Sequence, residues 1–172
     1  MEALQGVRVC DLCGGSMTLK KATMERPYHY VMSGLDTIFL AGIEVRYCTK
    51  CDVQVPIVPK VGQLHAAIAK YLVFKENLLS GKEIRFLRKN AGLAAKQFAA
   101  LVEVDPAYLS RVENGKIENM GPATDKLARA VIVAANDGGD VRKLLLQIAG
   151  NRIRERRTVF GLKKNHWEKL AA

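Results

Sequence analysis

Apolar residues recur along this chain with two different periods, and the change from one to the other divides it. Over residues 17–47 the spacing is two: Met17 and Leu19, then Tyr28, Tyr30 and Met32, then Ile38 and Leu40, then Ile43, Val45 and Tyr47. Alternation of this kind predicts half-buried strands, and Gly34 and Gly42 punctuate it as turn residues. A small antiparallel sheet is the expected product. Pro56 and Pro59 close this part in the extended segment VPIVPK. Beyond them Leu64, Ile68, Tyr71, Leu72 and Leu79 fall at helical spacing and predict a helix over about residues 61–79. Packing on its own domain, a dimer interface and a rigid arm all fit that stripe.

The helical period then persists. Ser80-Gly81-Lys82-Glu83 is a capping box, opening a helix with Ile84 and Leu87 inward that ends at Gly92. A second helix is expected over about 94–101, with Phe98, Leu101 and Val102 inward and Ala99 small where helices must approach. Asp105 caps a third, with Pro106 in the first helical position, where a missing N–H costs nothing. It stops at Asn114-Gly115, where glycine supplies a left-handed cap. Gly121-Pro122 starts a fourth, with Thr124, Leu127, Ala128, Val131, Ile132 and Ala135 inward. Asp140 caps a fifth, with Leu144, Leu145 and Ile148 inward. The fold class is α+β: a small antiparallel β module followed by an all-α domain. The expected boundaries are 1–59, a helical connector 60–79, a helical domain 80–150 and an extension 151–172.

The third helix carries a distinct division of labour. Tyr108, Leu109 and Val112 share one face, and Ala107, Ser110, Arg111 and Asn114 the other. An inner face that packs and an outer face of small residues with one arginine suit a helix that enters a DNA groove. Residues 92–116 therefore read as a helix-turn-helix.

Charge and cysteine content add two constraints. The formal net charge is +10, and residues 142–172 carry 9 basic and 2 acidic groups, so +7 of it lies there. A polyanionic partner such as nucleic acid and a merely solvated basic tail both fit. In that tail Arg152, Arg154, Arg156 and Arg157 cluster, with Val159, Phe160 and Trp167 interspersed. The four cysteines form two C-x2-C knuckles, Cys10-Asp11-Leu12-Cys13 and Cys48-Thr49-Lys50-Cys51, separated by 34 residues. Two knuckles complete a tetrahedral four-thiolate shell for one structural Zn2+, and a closed shell leaves no catalytic position. Gly14-Gly15 lets backbone fold close to the sulfurs. His29 and His65 are weaker ligand candidates, and neither C-x2-C opens a helix in the context a redox motif requires. No signal pattern or membrane-length apolar run is present, so a cytoplasmic protein is expected.

The helical part resembles the Cro/phage-repressor (Xre) family over about residues 80–135, most specifically in Leu109-x-x-Val112-Glu113-Asn114-Gly115-Lys116. That resemblance implies that Pro106, Ala107, Tyr108 and Arg111 face base edges, with Arg111 able to grip a guanine bidentately. It implies phosphate contacts from Lys96, Gln97, Ser110, Asn114 and Lys116. Two positions depart from it: Ala95 replaces a glutamine, and Glu103 stands where the turn carries glycine. Cys10, Cys13, Gly14, the Tyr30-to-Leu40 stretch with Ser33-Gly34-Leu35, Cys48 and Cys51, followed by this domain, resemble the MqsA/YgiT family of type II antitoxins. Asp52 stands where that pattern has glycine. This second resemblance implies a homodimeric repressor on an inverted-repeat operator of double-stranded DNA, and a zinc module that neutralises a ribonuclease-type toxin. A stand-alone Xre regulator, its zinc module serving dimerisation or sensing, is the alternative. No H-x-E, HExxH or carboxylate cluster accompanies the cysteines, so an enzyme is not expected.

Overall fold

The computed structural model describes residues 9–136, 158–163 and 166–170. The fifth helix expected behind Asp140 and the arginine cluster at 152–157 lie outside the described residues. The described chain divides into two compact units. One takes residues 9–30, 37–61, 158–163 and 166–170, and the other takes 31–36 and 62–136.

The first unit holds two sheets. Strands β1 (Met17–Lys21), β4 (Glu44–Cys48) and β5 (Gln54–Ile57) form an antiparallel sheet in the order β1-β4-β5. Strands β2 (Tyr28–His29), β3 (Ile38–Ala41), β6 (Thr158–Lys163) and β7 (His166–Leu170) form the other, in the order β2-β3-β6-β7. Gly42, at φ +81°, turns the chain between β3 and β4 and donates to the Ala22 carbonyl at 2.8 Å. The period-two reading holds for Tyr28, Tyr30, Ile38, Leu40, Ile43 and Val45, all buried. It fails at Leu19 and Met32, which are 54% and 71% exposed. Met32 lies in a short 3-10 turn (Val31–Ser33), so the strand period does not reach it.

The segment read as a basic extension contributes two strands. β6 pairs in parallel with β3, Ile38 opposite Thr158 and Leu40 opposite Phe160, and β7 folds back on β6. Val159, Phe160 and Trp167 are buried, and the Trp167 indole N–H donates to the Pro59 carbonyl at 3.1 Å. The sheet therefore has one parallel pair that the sequence reading did not foresee. Local alternation cannot reveal pairing between residues more than a hundred positions apart, and the density of arginines there masks a short apolar run.

The second unit is helical. Its elements are α1 (Val61–Phe74), α2 (Gly81–Asn90), α3 (Ala95–Leu101), α4 (Pro106–Glu113) and α5 (Pro122–Ala135). The connector stripe packs here, with Leu64, Ile68 and Leu72 fully buried. α1 stops at Phe74, short of the expected 79, and Leu79 is buried from the following loop. The capping box at Ser80 and Glu83 is formed. Three expected core positions point outward instead: Leu101 is 51% exposed, Leu127 41%, and Ala135, in the last turn of α5, is exposed as well.

Buried ion pairs tie these helices together. Arg129, 0% exposed, bonds Asp125 at 2.8 Å and donates to the carbonyls of Val73, Lys75 and Asn77. Asp125 also accepts from the Leu79 N–H at 2.7 Å, so α5 holds the whole link between α1 and α2. Lys75 grips both oxygens of Glu83 at 2.8 and 2.9 Å. Such pairs stabilise chiefly by being complete. Removing one partner strands a buried charge and costs about 3–5 kcal/mol.

α2 meets α4 with backbone against backbone at Gly81. A Cβ placed on Gly81 would lie 1.8 Å from the Val112 carbonyl oxygen and 2.6 Å from its carbon. Both atoms are backbone, so no side-chain rotation relieves the clash. Gly81→Ala is therefore expected to destabilise the protein by at least about 1–3 kcal/mol, the usual range for overpacking. Urea unfolding followed by helical circular dichroism measures this; an unchanged midpoint would contradict the contact.

Candidate nucleic-acid interface and metal centre

The turn between α3 and α4 fixes the geometry of the helix pair. Glu103 takes φ +53°, the left-handed conformation that the glycine of related turns adopts freely. The side chain costs about 1–2 kcal/mol there. Two turn-closing bonds offset it: Glu103 N–H to the Ala100 carbonyl at 3.3 Å, and Val104 N–H to the Ala99 carbonyl at 2.9 Å. Asp105 then caps α4, one carboxylate oxygen accepting from the Ala107 and Tyr108 N–H groups at 2.7 and 3.2 Å. At the other end Gly115, at φ +73°, donates to the Val112 carbonyl at 2.9 Å. The caps expected at both ends are therefore present.

Leu109 and Val112 seat α4 in the core at 1% and 0% exposure. Glu113 is also buried, and it accepts a fork from Arg88 of α2: Nε at 2.7 Å and a terminal nitrogen at 3.0 Å. Arg88 also donates to the Leu93 carbonyl at 2.7 Å, reaching the turn before α3. The opposite face of α4 is open. Pro106, Ala107, Ser110, Arg111 and Asn114 are exposed, as are Lys96 and Gln97 of α3 and Lys116 past the cap. Tyr108 is half-buried between the two faces.

Not all of these side chains are equally available. The Asn114 amide donates to the Ser110 carbonyl at 2.8 Å and lies 3.3 Å from its hydroxyl. The Gln97 carbonyl oxygen accepts from the Ala94 N–H at 3.1 Å, capping α3 in place of a side chain that Ala94 lacks. Arg111 has no partner among the described residues, so its guanidinium is free on the open face.

Against this geometry the comparison with family models is decisive for one segment. Residues 84–119 match the family described as Helix-turn-helix. That segment is a helix-turn-helix, and the match supports a DNA-binding regulator. Comparisons with curated proteins and with solved structures found no match. Among the described residues no helix is long and apolar enough to cross a membrane.

The cysteines converge in the first unit. The four sulfurs all lie within 4.8 Å of one another, with Cys10–Cys51 at 3.6 Å and Cys13–Cys48 at 3.4 Å. These contacts are too long for a disulfide, and they approach the roughly 3.8 Å edge of a tetrahedron with Zn–S bonds of about 2.3 Å. The two knuckles have matching backbones. The residue after the second cysteine has positive φ in each, Gly14 at +66° and Asp52 at +58°. N–H groups point at sulfur in both, Gly15 to Cys13 and Lys50 to Cys48, each at 3.4 Å. Gly15 is required for space, since a Cβ there would meet Lys50 Cβ at 2.8 Å and the sulfurs of Cys48 and Cys13 at 3.1 and 3.3 Å.

The thiols also act on one another's charge. The Lys50 N–H draws the Cys48 thiol down to about 6. At Cys13 the Gly15 N–H pulls downward, but the Cys51 and Cys48 sulfurs outweigh it and push the thiol up to about 12. One thiolate forms readily beside its neighbours, and four together need a cation. The donor set therefore fits a soft divalent metal bound by four thiolates, consistent with zinc. His29 stacks on Phe39 at 4.8 Å and His65 sits edge-on to Phe86 at 5.5 Å, so both rings are engaged by aromatic neighbours.

Purified protein is accordingly expected to carry one zinc per chain by elemental analysis, and Cys48→Ser to lose it. Acidification should release the metal, because each ligand must give up a proton to bind. Full zinc retention by the Cys48→Ser protein would contradict a four-thiolate centre.

Proposed function

We propose that this chain is a sequence-specific transcriptional repressor that acts as a homodimer on an inverted-repeat operator. The observation that carries the reading is the open face of α4, small residues around one unpaired arginine, on a helix whose other face is locked in the core. Ala107 and Pro106 let the backbone approach base edges closely, and Arg111 reads a guanine. Lys96, Gln97, Ser110, Asn114 and Lys116 hold phosphates, which set register without specifying sequence. In a symmetric dimer the two α4 helices enter successive major grooves roughly 34–36 Å apart.

The antitoxin reading is the more specific form of the same proposal. It is supported by the order of modules, a four-cysteine sheet domain ahead of a helix-turn-helix, which resembles the MqsA/YgiT antitoxins. In that reading Cys10, Cys13, Cys48 and Cys51 hold a structural zinc that shapes the toxin-binding module, and the toxin is a ribonuclease encoded beside this gene. No catalytic role is assigned to any residue.

The test uses DNA from upstream of the chain's own gene. Arg111→Ala should weaken binding to that DNA by about 1–3 kcal/mol while leaving weak binding to unrelated duplex. Equal affinity of wild type and variant in a titration would sink the assignment of Arg111. Coexpression with the product of a short neighbouring reading frame should yield a stable complex; a gene without such a neighbour would favour the stand-alone regulator.

A further inference from the structure

On α2, Lys82, Arg85 and Lys89 stand at positions i, i+3 and i+7, which places them along one edge of the helix. All three are exposed, and they line a cleft of about 790 Å³ within the helical unit. The cleft also takes residues from the 3-10 turn (Val31–Ser33), from α1 and from the end of α4.

The acidic groups nearby are already engaged. Asp36 is held by Lys82 at 2.7 and 2.8 Å, and Glu113 by the fork from Arg88. Arg85 and Lys89 have no partner among the described residues, so the cleft presents two uncompensated cations. The rest of its lining is different in character. Phe86 lines it at 9% exposure with the His65 ring edge-on, and Met32, 71% exposed, lines the same cleft. Burial lowers the His65 pKa, so this ring adds a neutral aromatic edge rather than a third charge.

Two free cations and an aromatic and thioether lining in one cleft suit one kind of ligand: an anionic group on a flat apolar body. The volume falls inside the range of small-molecule sites, and a concave site admits a compact ligand more readily than a duplex backbone. The geometry points to a binding site for a small phosphate-bearing anion with an aromatic body, the chemical class of a nucleoside phosphate. Arg85 and Lys89 take the phosphate, and Phe86 with Met32 takes the ring. Asn114 and Gly115, which close α4, also line the cleft, so its occupant touches the end of the helix proposed to read DNA. The site does not depend on that DNA reading, since every group in it is defined without DNA.

The experiment is isothermal titration of the full-length, zinc-loaded protein with ADP at low salt, comparing wild type with Arg85→Gln/Lys89→Gln. Both residues are exposed, so the variant should keep its far-ultraviolet circular dichroism and melting temperature. Saturable binding of ADP by wild type, weakened at least tenfold in the variant, is the expected result. Absence of ADP binding by wild type would overturn the proposal, as would equal binding by the variant. A variant that alters only the salt dependence of duplex-DNA binding would also overturn it, marking the row as a backbone contact.

Discussion

The fork between Arg88 and Glu113 is the interaction on which the rest of the helical unit depends. It joins α2 to the last turn of α4 inside the core, beside the place where Gly81 brings the α2 backbone against the Val112 carbonyl. The steric contact sets how near the helices come, and the ion pair sets their register. Arg88 also reaches the Leu93 carbonyl, so the turn leading into α3 is bound to the same guanidinium. α4 is thus held by its inner face and its C-terminal end. On its outer face the Asn114 amide still bonds Ser110, but Arg111 has no structural work to do and its side chain is free to meet a ligand.

A similar economy governs the rest of that unit. Arg129 and Asp125 bind the link between α1 and α2 through four backbone groups, where an apolar side chain would leave them unsatisfied. In the first unit the sulfur cluster plays the comparable part. β1 carries few buried residues, and its sheet starts beside the first knuckle and runs back through β4 into Cys48. The second sheet is completed by β6 and β7, so α1 to α5 all fall between β5 and β6 in sequence.

Much of this was legible in the sequence, and the exceptions share a cause. The caps at Ser80, Asp105 and Gly115, the four cysteines, and the faces of α4 are local features, written within a few residues of one another. Glu103 and Asp52 stand where the patterns they resemble carry glycine, yet both keep the positive φ, because the turn's hydrogen bonds demand it whichever residue stands there. The buried charges were not legible: nothing local marks Arg88, Glu113, Asp125 and Arg129 as core residues until their partners are placed. Glu83 was read only as a cap, without its buried partner Lys75. The same holds for β6 and β7, whose pairing with β3 spans more than a hundred residues. The cleft over Phe86 escaped for a like reason, since its walls come from four separate segments.

The role assigned to α4 is exposed most directly by selecting the full-length, zinc-loaded protein against a library of random duplexes and sequencing what it retains. A free arginine on a rigid, open helix face should enrich one motif containing a guanine, repeated with inverted symmetry about one helical turn apart. Retention that rises with low salt but enriches no sequence would contradict base reading by α4 and leave only backbone attraction.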